Sequence, residues 1–243
     1  LHSDLPPLRL SWATAREIIG FHETPAAEHE PGAEDNSAEY GSFLLSLPWR
    51  EPETVSLDGG TDDAGGGFGI SGLSVEVGAV LIADLGRQCT GQVLVECECD
   101  SAGTLDIAWA ERFFDDRPAV MLKGTTYADC VQAEAGRLQW EPLNFSSGRY
   151  LMIALRGFQG SVRFTRLGMR ASEPDLNWAG RFECSDPRLN EIWRMCERTV
   201  RVGTQECVMD CPTREQAAYL GDGHPVARWI GLLTGDWTHW KYL

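Results

Sequence analysis

The chain has 243 residues, enough for one large domain or two ordinary ones, and 43% of them are hydrophobic, enough for a sizeable core. Its formal net charge of −15, from 36 acidic and 21 basic residues, argues against a nucleic-acid partner, which needs a basic face. An acidic surface favours solubility and tolerates a neutral ligand such as a sugar.

The first 70 residues read as an N-terminal segment and linker. "SWATAREIIGF" has the look of a short helix. "HETPAAEHEPGAEDNSAEYG" is acidic, rich in Pro, Gly and Ser, and poor in aliphatics, so it reads as a surface-wrapped linker. "GGTDDAGGGFG" (59–69) is a further loop; it lacks the Lys of a phosphate loop. The start of the chain has no apolar run after a basic stretch, as a leader would, and no segment reaches the roughly 18 apolar residues of a membrane span.

From about Val75 the period becomes two. "VEVGAVLIADLG" and "GQVLVECECD" predict two strands, the second with Val93, Val95, Cys97 and Cys99 on one face and Leu94, Glu96 and Glu98 on the other. Further short strands follow at "AGTLDIAWAERF", "TTYADCVQAEAG", "RLQWEP", "GRYLMIALRGF" and "SVRFTRLGMRAS", separated by Gly, Pro and Asp turns. This pattern predicts a jelly-roll-like antiparallel β-sandwich over residues 71–175. Trp109, Tyr127 and Trp140 within it are candidates for stacking on a sugar, with core packing the simpler role. Asp115 and Asp116 read as a solvated turn, and no metal ligands are assigned.

The eight Cys are too unevenly placed for a disulfide framework, and no pair has zinc spacing. Free buried thiols are the expectation, leaning toward a reducing compartment such as the cytoplasm.

At "RFECSDPRLNEIWRMCERTVRVG" the period changes to that of a helix. Ser185 or Asp186 can cap it, Pro187 suits its first turn, and Gly203 can end it. Leu189, Ile192, Trp193, Cys196 and Val200 fall on one face. A second helix is expected from about Pro225, with Val226, Trp229, Ile230 and Leu233 on one side. Helices after a block of strands point to a second domain, 176–243. One helix and part of another cannot bury their own apolar faces, so this part reads as incomplete.

Between the two helices lies "MDCPTREQAAYLGDGHP". Asp210, Glu215 and Asp222 crowd this stretch with Arg214. Glycoside hydrolysis needs a carboxylic acid on the leaving oxygen and a second carboxylate opposite, and neighbouring acids or burial can raise the donor's pKa. The same acids can equally cap a helix or form surface pairs. His224 is the neighbouring titratable group and fits a packing or capping role.

"DCPTREQAAYLGD" resembles the signature of the α-L-rhamnosidases of glycoside hydrolase family 78. The likeness extends to "FECSDPRLNEIW", "WEPLNFSSGRYLMIAL" and "LIADLGRQCTGQVLVEC", in the family's order, over about residues 75–235. The resemblance implies a β-sandwich followed by the first helices of an (α/α)6 catalytic barrel, and inverting cleavage of terminal α-L-rhamnosyl bonds. It implies Glu215 as general acid, Asp210, Arg214 and Asp222 as substrate-binding residues, rhamnose-containing glycosides as partners, and no cofactor. Many members have Arg-Asp-Glu-Arg and then Gly-Trp-Thr-Gly-Asp, where this chain has Arg214-Glu215-Gln216 and then Tyr219-Leu220-Gly221-Asp222. A twelve-helix barrel needs about 250–400 residues, more than follow Gly180. The expectation is therefore a fragment that lacks the general base and is inactive alone. The alternatives are a non-catalytic carbohydrate-binding or supporting sandwich, and a truncated relic.

Overall fold

The computed structural model describes residues 8–14, 17–23, 44, 73–76, 79–114, 117–123 and 125–242. Residues 24–41 of the expected linker, the loop at 59–69, and Asp115–Asp116 lie outside them. The described residues are mostly antiparallel β-structure followed by helices, and divide into two compact units, one within Trp12–Arg170 and one built mainly from Ala171 onward.

The β unit centres on β4 (Ala79–Cys99), β5 (Gly103–Ala110), β12 (Ser146–Arg156) and β13 (Ser161–Pro174), with β10 (Ala128–Ala133) beside β5, in the order β13-β4-β12-β5-β10. β11 (Gly136–Trp140) and β2 (Glu17–Glu23) also pair with β4, and β3 (Leu73–Glu76) and β1 (Leu8–Thr14) with β13. Two-residue strands β6 (Phe113–Phe114), β7 (Arg117–Pro118), β8 (Met121–Leu122) and β9 (Thr125–Thr126) form two small ladders between β5 and β10 in the chain.

Two expectations are corrected here. "SWATAREIIGF" is not helical: it contributes to β1 and β2, and β2 satisfies its backbone on β4, Glu17 facing Asp84 and Phe21 facing Leu81. Local propensity yields to ladder hydrogen bonds on an available strand edge. The two runs expected as separate strands around Gly91 are one long bent strand, β4. Its first part pairs with β2 and β12 and its last with β11, Val95 facing Trp140 and Cys99 facing Gly136. A strand that changes neighbours along its length joins the two layers of a sandwich.

The bend has a defined cause. Tyr150 of β12 faces Asp84 and Gly148 faces Cys89, so residues 85–88 bulge opposite Arg149 alone. Gly86 takes φ 74°, and its N–H donates to Asp84 Oδ1 at 2.7 Å. Arg149 Nε and Nη2 donate to the two oxygens of Asp84 at 2.8 and 2.7 Å. A bidentate fork of this kind fixes both partners' geometry.

Opposed residues across the ladders build the core. Leu81, Ile153 and Ile107 face one another on one side. On the other, Val80, Met152, Ala154, Ala108 and Ala110 pack under Leu44 and Val120. Burial of β5 on both faces is what a strand inside a sandwich requires. Val93, Val95, Cys97 and Cys99 are buried together as expected; Leu94 is buried too, while Glu98 stays exposed and paired with Arg163. Cys97 and Cys99 bring their sulfurs to 3.8 Å, and burial first, then the neighbouring thiol, pushes Cys97 far up. All eight Cys are free, but burial holds only for Cys89, Cys97 and Cys99. Cys130, Cys196 and Cys207 are exposed and Cys184 and Cys211 half-buried, because they lie at helix surfaces, loops and an outer strand. Of the aromatic candidates, Tyr127 is buried and Trp109 and Trp140 are half-buried.

In the helical unit, α1 (Pro187–Val202) starts as the sequence predicts: Asp186 caps it, accepting from Arg188 N–H at 2.9 Å, with Pro187 in the first turn. α2 (Leu220–Thr234) ends at Gly235, left-handed at φ 78°. The short α3 (Thr238–Lys241) follows, with Asp236 Oδ1 accepting from Thr238 N–H at 2.7 Å. Val200, Val208, Ala227 and Ile230 form the core, flanked by Leu176, Trp178 and Val226. Gly231 is required by close approach, since a Cβ there would lie 2.5 Å from the Trp237 ring. The apolar stripe of α1 departs from expectation. Val200 is buried, but Leu189, Ile192 and Cys196 are exposed, because this unit's core reaches only the C-terminal end of the helix.

Deep in the β unit, Arg156 and Asp106 form a bidentate pair at 2.5 and 2.9 Å, with Asp106 fully buried. Removing one partner strands a buried charge. Arg156→Met is expected to cost about 3–5 kcal/mol in urea unfolding, and the double replacement Arg156→Met with Asp106→Leu to recover most of it.

Candidate active site

The chain leaves α1 through a tight reversal. Met209 N–H donates to Gly203 O at 2.9 Å, Thr204 bridges to Val208, and buried Gln205 exchanges hydrogen bonds with Ser172 at 2.7 and 3.0 Å. This anchors the start of "DCPTREQAAYLGD".

Asp210 closes the loop that follows. Its N–H donates to Ala217 O at 2.9 Å, and its Oδ1 accepts from Ala217 N–H at 2.9 Å. Inside the closed loop, Glu215 N–H donates to Cys211 Sγ at 3.3 Å, and Gln216 Nε2 donates to Pro212 O at 2.9 Å. Gln216 takes φ 54°, a left-handed conformation that a non-glycine residue adopts at a cost. Burial pushes the Asp210 carboxyl up, but hydrogen bonds from the Ala217 N–H, the Cys211 thiol and nearby amides outweigh it. The group therefore titrates below the usual carboxylate range.

The loop presents Glu215 at its exposed end. Arg214 Nη2 donates to Glu215 Oε1 at 2.6 Å, and both side chains are about a third exposed, at 35% and 37%. The Glu215 carboxylate pushes the Tyr219 phenol up, with slight desolvation and Asp210 adding and Arg214 opposing. Asp210, Arg214, Glu215 and Tyr219 are thus one electrostatic group.

Asp222 sits elsewhere. It lies exposed in the first turn of α2, where a carboxylate is favoured by the helix dipole. No hydrogen bond or ion pair among the described residues joins it to the other three. The expected start of the second helix near Pro225 is corrected: α2 begins at Leu220, with Tyr219 as N-cap, and Gly221 and Gly223 are in its first turns rather than in a loop. Gly223 N–H already bonds Tyr219 O at 2.7 Å. Pro225 lies inside α2 and offers no amide to the Gly221 carbonyl. His224 is exposed on α2, its ring 4.5 Å from that of Trp240. Tyr219 is the residue that sequence reading left without a role; its spacing of four from Glu215 was the available signal.

A β-sandwich-type unit followed by helices, with a carboxylate-bearing loop between the first two of them, is an architecture of carbohydrate-active hydrolases, and the comparisons agree. Residues 177–234 match the model of the bacterial alpha-L-rhamnosidase 6 hairpin glycosidase domain. An alpha-L-rhamnosidase of Formosa agariphila is 28% identical over 89 residues, 37% of this chain and 9% of that protein. Among solved structures, the family 78 rhamnosidase of Bacillus sp. GL1 matches with a TM-score of 0.64 and 24% identity, over 71% of this chain and 18% of that one. The Klebsiella oxytoca rhamnosidase, with rhamnose bound, matches with a TM-score of 0.64 and 19% identity, over 94% and 42%. The Streptomyces avermitilis alpha-L-rhamnosidase, complexed with L-rhamnose, matches with a TM-score of 0.59 and 18% identity, over 99% and 18%. The chain is therefore similar to the bacterial alpha-L-rhamnosidase 6 hairpin glycosidase domain over residues 177–234, and similar in fold to solved rhamnosidases. It spans less than half the length of each of these proteins.

The loop closure is testable by hydrogen exchange. Asp210→Ala removes the acceptor of the Ala217 amide, and that amide is expected to exchange roughly tenfold faster or more, since a hydrogen bond to a charged group contributes about 1.5–3 kcal/mol. Because the folded-state pKa of Asp210 is lowered, its contribution is complete above the ordinary carboxylate range and is lost as the pH falls below it. Unchanged Ala217 protection in the variant counts against the closure.

Proposed function

We propose that this chain belongs to an enzyme that hydrolyses terminal α-L-rhamnosyl bonds with inversion, and that Glu215 is its general acid. The reading is carried by one observation: a loop tied at Asp210–Ala217 presents a single Glu, within the segment that matches the six-hairpin glycosidase domain. In it, the Glu215 carboxyl gives its proton to the glycosidic oxygen as the bond to the anomeric carbon breaks. A second carboxylate takes a proton from a water that attacks the opposite face. Protonation of Glu215 removes its charge attraction to Arg214. On this reading sugar binding draws Arg214 off Glu215, and the freed guanidinium is available to the sugar hydroxyls. Asp210 and Asp222 are the further rhamnose-binding residues, and Asp210 serves through the oxygen not committed to Ala217.

Residues 176–243 are, on this reading, the opening of an (α/α)6 catalytic domain behind a sandwich at 71–175, with 1–70 as an N-terminal segment. The exposed Leu189, Ile192, Met195, Trp229 and Leu232 support this, since helices of a barrel present apolar sides to neighbouring hairpins. The residue that activates water is not assigned among these 243 residues, and the 243-residue polypeptide alone is expected not to turn over.

Two measurements test the proposal on the polypeptide as it occurs in its source. Glu215→Gln is expected to lower kcat on a rhamnoside with a poor leaving group by about 10²–10⁴-fold, and far less on an activated aryl rhamnoside. Proton NMR of the first product is expected to show the β-anomer. First release of the α-anomer, or a near-normal rate for Glu215→Gln with the poor leaving group, overturns the reading.

A further inference from the structure

We infer that Cys211 is a positioning residue for Glu215: its sulfur holds the peptide that joins Arg214 to Glu215, and so sets the direction in which the carboxyl leaves the loop. The inference rests on the reading of Glu215 as general acid. It starts from a hydrogen bond that the Glu215 N–H donates to Cys211 Sγ, four residues back, at 3.3 Å. In a regular helical turn that amide would bond the Cys211 carbonyl. Here the half-buried sulfur accepts it instead. Sulfur is a weak acceptor, so the bond directs the peptide without locking the loop.

The side chains show what this peptide has to do. Sequence neighbours do not face each other on a helix, and they point to opposite sides of a strand. Arg214 and Glu215 are neighbours, yet Arg214 Nη2 donates to Glu215 Oε1 at 2.6 Å. The peptide between them is turned so that the two side chains converge, and its N–H is the one that Cys211 accepts. Gln216 then leaves the turn in the left-handed conformation, at φ 54°. The outline of the loop has other supports. Asp210 and Ala217 close it with two bonds of 2.9 Å, and Gln216 Nε2 donates to Pro212 O at 2.9 Å. Cys211 therefore acts on the aim of Glu215 more than on the closure of the loop.

Arg214 and Cys211 hold Glu215 in different ways. Arg214 attracts the carboxylate by charge, and that attraction goes when the carboxyl takes a proton. The bond to sulfur uses the Glu215 amide and not its carboxyl, so protonation leaves it in place. A proton donor has to be aimed while it is neutral, when Arg214 attracts it least. A catalytic group that loses its aim costs rate rather than binding. That cost follows the demand for the proton and is largest with poor leaving groups.

The experiment compares Cys211→Ala, Cys211→Ser, Glu215→Gln and the double variant Cys211→Ala with Glu215→Gln, in the polypeptide as it occurs in its source. Cys211→Ala is expected to lower kcat about 3–10-fold on a rhamnoside with a poor leaving group, the size set by one lost hydrogen bond. KM is expected to change little, and an activated aryl rhamnoside to be cleaved almost as before. Cys211→Ser keeps an acceptor and is expected to recover most of the loss. Added to Glu215→Gln, Cys211→Ala is expected to cost nothing further, because the residue acts through Glu215. Hydrogen exchange gives an activity-independent check: in Cys211→Ala the Glu215 amide is expected to exchange about 3–10-fold faster, while the Ala217 amide keeps its protection. Normal turnover of the poor substrate by Cys211→Ala, beside a strong leaving-group-dependent loss in Glu215→Gln, overturns the positioning role and leaves the acid in place. Full additivity of the two losses overturns it too. So does loss of Ala217 protection in Cys211→Ala, which makes the thiol a support of the whole loop. A serine variant that protects the Glu215 amide yet is as slow as the alanine variant has the same consequence. A Glu215→Gln enzyme without leaving-group dependence overturns the acid assignment itself, and this inference with it.

Discussion

The β unit depends on where Asp84 spends its two oxygens. One accepts from both Gly86 N–H and Arg149 Nε, and the other from Arg149 Nη2. These bonds turn a change of direction in β4 into a fixed joint. Without them, residues 85–88 have no reason to bulge opposite Arg149, and the register that sets Leu81 against Ile153 and Ile107 is no longer tied to the register beyond Gly91. The cost of desolvating Asp84 is offset because a charged fork and a backbone donor satisfy it together.

The helical unit uses the same device. Asp210, like Asp84, turns a carboxylate inward onto backbone N–H in place of a longer ladder. In both cases a short side chain sets the shape of a segment that has too few apolar contacts to hold itself. The difference lies in what each loop presents. The bulge at Asp84 presents Arg149, already paired; the loop at Asp210 presents Glu215 paired with its neighbour Arg214.

Sequence patterning made the two-part architecture legible, because period-two runs and an abrupt change to helical spacing are properties of neighbouring residues. The cap at Asp186–Pro187 and the buried face of Val93, Val95, Cys97 and Cys99 were legible for the same reason. What was not legible depended on distant partners. The segment 11–21 carries residues suited to a helix and becomes strand because an edge of β4 receives it. α2 starts earlier than expected because Gly221, Gly223 and Pro225 read as breakers, although all three stand within its first two turns. Of the site, the sequence shows which carboxylates lie near one another in the chain. It does not show that Asp222 stands apart on a helix while Arg214 pairs with Glu215.

Asp210 also constrains how variation at its position can be read. One side-chain oxygen accepts from the Ala217 N–H, so any substitution that removes it changes the loop before it changes recognition. A loss of activity after Asp210→Ala therefore carries no information about the sugar. Asparagine is the discriminating replacement, because it keeps an acceptor for the Ala217 amide while abolishing the charge. Genetic data that pool all changes at this position will overstate its part in specificity.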